Sequence, residues 1–203
     1  DICRKLLEKS ANQTQVTKIE CLDFFGIIVE MKNNLERFIN FVEAAQNEGF
    51  KGIGRIHIDK KMLNKLKPKH LDMIKYGCKE KNLKAIIYDN LDKEKWFIAM
   101  SQLDCLVTFS NGTFYTDHVA SSHRVKEALM LGLRVITNSD SICDMQFNHD
   151  ISDGDRLAIV NHPLEKGENI KAIQELEQKT IDVNSSRQWI NYCDPQRWCR
   201  DIM

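Results

Sequence analysis

The sequence contains few residues that interrupt regular structure, with 3 prolines and 9 glycines among 203 residues. No Pro/Gly/Ser-rich linker, internal repeat or low-complexity segment divides it. We therefore expect a single domain over residues 1–203, since a chain of this length can bury a core without disulfide or metal staples. The chain begins with Asp1 and shows no signal peptide, so we expect it to be a piece of a longer protein.

The sequence also lacks an excess of charge of either sign, since Lys+Arg and Asp+Glu each number 29. A nucleic-acid-binding domain normally shows a basic excess, so we expect no nucleic-acid partner. No apolar stretch approaches the roughly 18 residues of a membrane span. The basic stretch Lys60–Lys69 is interpreted as a solvated helix face, with anionic lipid as the alternative partner. A cytoplasmic location is expected, with contact at the membrane surface left open.

Metal-binding and disulfide patterns are absent as well. The 7 cysteines are odd in number and form no C-x-x-C pair, which indicates a reducing compartment. The 6 histidines include no H-x3-H pair, so no metal is expected. Neither a G-x-G-x-x-G fingerprint nor a P-loop is present.

What the sequence does contain is a regular alternation of apolar runs and helical patterns. Strands are predicted over 22–29, 52–58, 85–88, 104–109, 134–137 and 156–160. Helices are predicted over 33–48, 60–81 with a break at Pro68, 92–102, 122–131 and 169–179, and an aromatic C-terminal helix over 186–203. About six strands separated by helices predict an α/β fold: a doubly wound, Rossmann-like, mostly parallel sheet with helices on both faces.

In such a sheet, ligands bind outside the carboxyl ends of the strands. The loop Ser110–Arg124 follows a predicted strand and enters a helix whose first turn carries Ser121 and Ser122. Backbone N–H groups and the helix dipole favour an anion there, and the guanidinium of Arg124 adds a positive charge that can bind a phosphate through two hydrogen bonds. Glu127 lies about one turn further on, where a carboxylate can accept hydrogen bonds from ribose. The alternative is an ordinary helix cap with Arg124 and Glu127 solvated.

The stretch Asp104–Thr137 resembles the donor-binding region of retaining nucleotide-sugar glycosyltransferases of the GT-B fold (glycosyl transferases group 1 type). Six residues match that family's helix and following strand: Arg124, Glu127, Ala128, Gly132, Val135 and Ile136. Arg134 stands where the family usually has Pro. Phe24–Ile39 resembles the family's opening strand and helix, with Gly26 and Lys32 at the right separation. Ala85–Asp104 resembles its base-binding segment, and the C-terminal WINYCDPQRW resembles its closing aromatic helix.

The resemblance implies a role for each matching residue. Lys32 neutralises the diphosphate as the leaving group forms, and Glu127, the second glutamate of an E-x7-E motif, holds the ribose. These two are the catalytic candidates. The donor-binding candidates are Gly26, Tyr88, Asp89, Asn90, Ser121, Ser122, Arg124 and Glu127.

Two positions depart from the family pattern. Ile27 stands where an arginine is usual, which removes one of two cations over the diphosphate. Val119 stands where the first glutamate of E-x7-E belongs, and Asp117 is out of register.

The function implied by the resemblance is transfer of sugar from a nucleotide sugar, such as a UDP- or GDP-sugar, to a glycan or lipid-linked acceptor in polysaccharide biosynthesis. No obligate metal is implied, and the acceptor-binding domain would precede Asp1. Two alternatives remain. One is an enzyme of the UDP-N-acetylglucosamine 2-epimerase type, and the other is a non-catalytic α/β nucleotide-binding or assembly domain, which Ile27 and Val119 favour.

Overall fold

The computed structural model describes residues 5, 18–25, 34–109, 123–138, 157–160 and 167–179. Its strands are β1 (Cys21–Phe25), β2 (Ile53–Asp59), β3 (Leu83–Tyr88), β4 (Cys105–Val107), β5 (Arg134–Asn138) and β6 (Leu157–Val160). Its helices are α1 (Asn34–Asn47), α2 (Lys60–Leu63), α3 (Pro68–Glu80), α4 (Lys93–Met100), α5 (His123–Met130) and α6 (Glu168–Gln178). The predicted C-terminal helix over 186–203 lies outside the described residues.

The strands form one six-stranded sheet in the order β3-β2-β1-β4-β5-β6, and every pairing is parallel. This order is that of Rossmann-type nucleotide-binding domains. The predicted doubly wound α/β fold with about six strands is therefore confirmed.

Local sequence explains where most elements begin and end. Pro68 occupies the first turn of α3, where its missing N–H costs no helical hydrogen bond, and it separates α3 from the short helix α2. Asp92 caps α4 by accepting from the Lys95 N–H at 2.8 Å. Gly49, just beyond α1, has a φ of 113°, a value that side chains disfavour.

One predicted boundary differs from the structure for a physical reason. The run Asp104–Phe109 predicts a strand of that length, but β4 extends only from Cys105 to Val107. Asp104 lies outside the strand, where its backbone N–H donates to the Asp23 carboxylate at 2.8 Å instead of joining the ladder. Its own carboxylate accepts the backbone N–H groups of Glu20 and Cys21, at 2.6 and 2.8 Å. Asp104 thus fastens the entry of β4 to the entry of β1.

Alternate residues of the strands divide the core into two clusters. Leu22 and Phe24 belong to the cluster that includes side chains of α1, α3 and α6. Phe25 belongs to the cluster that includes α4 and α5. Because successive side chains of a strand point to opposite faces, these two clusters lie on opposite sides of the sheet.

The basic stretch Lys60–Lys69 behaves as a solvated face, as predicted. All five of its lysines are exposed, namely Lys60, Lys61, Lys65, Lys67 and Lys69. Leu66 is buried, and Met62 and Leu63 pack against the core. Among the described residues, no helix has the length and apolar character needed to cross a membrane.

A carboxylate from the residue that follows α1 supplies the N-terminal cap of α6. Gly167, the cap residue of α6, has no side chain to offer, and Glu48 takes its place. Its Oε1 accepts from the Gly167 N–H at 2.7 Å, and its Oε2 accepts from the Ile170 N–H at 3.0 Å. A negative charge at this end also interacts favourably with the helix dipole.

We expect Glu48→Ala to lower the free energy of unfolding by about 1–2 kcal/mol, because two N–H groups of α6 lose their acceptor. Urea unfolding measures the change. The matched control is Glu175→Ala, which removes an exposed glutamate paired with Lys179 on the same helix. It should change stability by less than about 0.5 kcal/mol. Equal effects of the two substitutions would contradict the capping role.

Candidate nucleotide site at the carboxyl edge of the sheet

The strand order reverses between β1 and β4, and this reversal locates the candidate site. In open parallel sheets, ligands bind in the crevice outside the carboxyl ends of the strands at such a point. The ladder joining β1 to β4 contains the pairs Leu22↔Cys105 and Asp23↔Leu106. Among the described residues, this ladder ends at Asp23↔Leu106, whereas the ladder from β1 to β2 continues to Phe25↔His57.

Helix α5 contains Glu127, the residue predicted to hold the ribose. Val125, Ala128 and Leu129 are fully buried and hold α5 against the sheet. Glu127 lies on the same helix and is half-buried. Arg124 occupies the first turn of α5, although its side chain lies outside the described part of the structure.

Several predicted site residues fall in segments that the structure does not describe. These are Gly26, Lys32, Ser121 and Ser122. The two departures from the family pattern, Ile27 and Val119, fall there as well. The roles implied for these positions remain predictions.

The predicted base-binding residues follow β3. Asp89 and Asn90 are both exposed. The Asp89 carboxylate lies 3.0 Å from the Lys60 ammonium in an ion pair open to water, and such pairs contribute little energy. Asn90 has a φ of 57°, and its side-chain oxygen accepts a hydrogen bond from the Lys61 ammonium. Both residues present polar groups at the rim of the carboxyl edge.

The turn that carries these residues is tied to the neighbouring strand by Asp59, the last residue of β2. One carboxylate oxygen of Asp59 accepts from the Leu91 N–H at 2.6 Å, and the other accepts from the Lys61 N–H at 2.7 Å. The hydrogen bond from Leu91 is the main cause of the lowered pKa of Asp59. The start of α2 and the turn after β3 are thereby joined at the carboxyl edge.

Tyr88 ends β3 and points its hydroxyl inward. The hydroxyl oxygen lies 2.8 Å from Nδ1 of His57 on β2. The two rings are stacked with centroids 5.9 Å apart, and the Tyr88 ring meets Phe25 edge-on at 6.4 Å. Burial is the main cause of the raised pKa of the Tyr88 phenol, and the nearby Asp23 carboxylate adds to it.

A buried carboxylate stands at the centre of this face. Asp23 lies in the middle of β1 with none of its surface exposed. Its oxygens accept from Nε and Nη2 of Arg55 at 2.6 and 2.7 Å, and Nε2 of His57 lies 2.7 Å from Oδ1. The backbone N–H of Asp104 donates to Oδ2 at 2.8 Å. We refer to Asp23, Arg55, His57 and Tyr88 as the buried polar network.

Protonation of Asp23 is governed by its partners. Burial alone raises the pKa of a carboxyl group, but the hydrogen bonds from His57 and Arg55 outweigh it, so the pKa of Asp23 is lowered. Asp23 is therefore ionised in the folded protein near neutral pH, and Arg55 supplies the opposing charge. Sequence reasoning missed this network. The signal was a lone aspartate within the apolar run that begins at Leu22.

The comparisons with known proteins bear on the fold. No protein-family model matches the chain, and no curated protein matches it by sequence. The solved structure of AviGT4, a glycosyltransferase involved in avilamycin A biosynthesis, superposes with a TM-score of 0.56 and 14% identity. It aligns over 87% of this chain and 47% of its own. WaaG, a glycosyltransferase involved in lipopolysaccharide biosynthesis, gives a TM-score of 0.51 at 13% identity. There the alignment covers 97% of this chain and 47% of WaaG.

The chain thus spans about half the length of these two glycosyltransferases. At such low identities the likeness shows the fold alone. The resemblance to the GT-B fold that the sequence motifs predict is confirmed at that level.

We expect Asp23→Asn to destabilise the protein by about 3–5 kcal/mol at neutral pH, because it leaves Arg55 without its buried counter-charge. The effect should depend on pH. Since the folded pKa of Asp23 is lowered, its contribution is fully present above the unfolded value of about 3.9 and is lost as pH falls through the folded value. The difference in the free energy of unfolding between the parent and Asp23→Asn should therefore narrow as pH falls below about 4.

Urea unfolding at a series of pH values measures this gap. Asp72→Asn, on the exposed face of α3, is the matched control and should follow the parent throughout. A gap between parent and Asp23→Asn that stays constant down to about pH 2 would contradict the assignment.

Proposed function

We propose that this chain is the donor-binding half of a GT-B glycosyltransferase, which binds a UDP- or GDP-sugar at the carboxyl edge of the sheet. The sugar would pass to a glycan or lipid-linked acceptor held by a domain that precedes Asp1. The observation that carries the proposal is the coincidence of two independent features. The reversal of strand order between β1 and β4 predicts a ligand site beside β4, and the motif containing Glu127 and Gly132 occupies the segment that follows β4.

The described residues supply chemistry suited to two parts of a nucleotide. Glu127 is a half-buried carboxylate on α5, of the type that accepts hydrogen bonds from ribose hydroxyls. Asp89 and Asn90 offer a carboxylate and an amide at the rim, groups that pair with the polar edge of a base. The diphosphate would meet the start of α5 and Lys32, as the family resemblance implies.

Catalysis in this proposal is electrostatic. Charge develops on the diphosphate as the bond to the sugar breaks, and a lysine ammonium and backbone N–H groups would stabilise it in place of a metal. Among the described residues, no three His, Cys, Asp or Glu side chains group as metal ligands. The absence of a metal remains an expectation.

We expect UDP, GDP or their sugars to raise the thermal unfolding midpoint by about 3–6 °C at roughly ten times Kd, because a ligand that binds only the folded state stabilises it. Differential scanning fluorimetry against a panel of nucleotides and nucleotide sugars makes the measurement. The proposal is lost if no panel member shifts the midpoint at millimolar concentration and a longer protein that includes the preceding half is equally unresponsive.

We expect Glu127→Ala to weaken nucleotide binding by roughly 10- to 100-fold, since charge-assisted hydrogen bonds to the ribose disappear. Isothermal titration measures the affinity. The control is Glu175→Ala. Glu175 is an exposed glutamate on α6, which packs on the face of the sheet opposite α5, so this variant should bind nucleotide like the parent. Unfolding of Glu127→Ala in the absence of ligand would instead assign Glu127 a structural role.

The two alternative functions give different results in the same experiments. An epimerase would convert UDP-N-acetylglucosamine without an acceptor, whereas a transferase needs one. A non-catalytic binding domain would give the thermal shift but no turnover, even when joined to its preceding half.

A further inference from the structure

In the buried polar network, the chemistry of the donors and acceptors decides which atom donates in each hydrogen bond. An ionised Asp23 can only accept hydrogen bonds, so the proton shared with His57 is carried by Nε2. Nδ1 of the same ring lies 2.8 Å from the Tyr88 hydroxyl oxygen. When Nε2 alone carries a proton, Nδ1 is an acceptor, and the Tyr88 hydroxyl donates to it.

This arrangement of donors and acceptors gives the Tyr88 ring one preferred position. Stacking on His57 and edge-on packing against Phe25 fix the plane of the ring. The hydroxyl fixes how far the ring reaches into the face, because the hydrogen bond to Nδ1 has a definite length and angle. His57 cannot turn to follow a displaced Tyr88, since Asp23 holds its other nitrogen.

The turn after Tyr88 is short and is held at its far end as well. The Leu91 N–H is bound by Asp59, and Asp92 caps α4 immediately afterwards. Asp89 and Asn90 thus lie between two fixed points. Asn90 adopts a left-handed φ of 57°, which a released turn would not need to keep.

We infer that Tyr88 is a positioning residue for the nucleotide base: its hydroxyl, held by His57 on Asp23, sets the place of Asp89 and Asn90 at the carboxyl edge. This inference rests on the proposed nucleotide-sugar function. It assigns Tyr88 an indirect part in binding, exerted through the two residues that follow it.

The test is Tyr88→Phe, which removes the hydroxyl and keeps the ring. Affinities for UDP and GDP, which carry a base, are compared with the affinity for inorganic pyrophosphate, which does not. We expect binding of the preferred nucleoside diphosphate to weaken by about 10-fold. Pyrophosphate binding should stay unchanged, because the proposed diphosphate site is at the start of α5. NMR titration suits affinities in the millimolar range.

The matched control is Tyr76→Phe, which removes the hydroxyl of an exposed tyrosine on α3 and should change neither affinity. A second readout is independent of any ligand. Two-bond ¹H–¹⁵N spectra of the parent should show His57 protonated at Nε2 and unprotonated at Nδ1.

The outcomes separate this inference from the function on which it rests. Failure of the unaltered chain to bind UDP or GDP overturns the proposed function and this inference with it. Binding that Tyr88→Phe leaves unchanged overturns the inference alone. Equal losses for nucleoside diphosphate and pyrophosphate would also overturn it, since they indicate a general structural role. So would a His57 ring protonated at Nδ1.

Discussion

The carboxylate of Asp23 is the interaction on which the arrangement of the candidate site depends. It lies fully buried in a central strand and is held by β2 through Arg55 and His57 and by the entry of β4 through the Asp104 N–H. A charge in such a place is tolerated only when every lone pair is used. The strands on either side of the reversal in strand order are therefore joined through one side chain.

Side-chain hydrogen bonds also compensate for the short ladder between β1 and β4. Strand β4 has three residues, and its pairing with β1 contains two register pairs. Asp104 supplements that pairing twice, because its carboxylate binds two N–H groups at the entry of β1 and its own N–H binds Asp23. The two strands are thus fastened at their amino ends by side-chain hydrogen bonds as well as by the ladder.

The fold could be predicted from the sequence because its signals are local. The period of apolar residues, Pro68 and the Asp92 cap each act within a few residues, and the structure reproduces the elements they predict. The polar network could not be predicted, since its members stand 31 to 34 residues apart and meet only when β1, β2 and β3 are neighbours. At the candidate site, family resemblance indicates Tyr88, but resemblance carries no information about where its hydroxyl points.

A polar network at this position has an effect that apolar side chains in the same place would not have. Apolar side chains of similar volume hold strands together as well as a buried ion pair does, and often better. They do not fix one orientation, because contacts between apolar groups have little directional preference. A chain of hydrogen bonds from Asp23 through His57 to Tyr88 fixes both distance and angle. The network therefore gives the end of β3 a defined geometry, which the proposed recognition of a planar base would use.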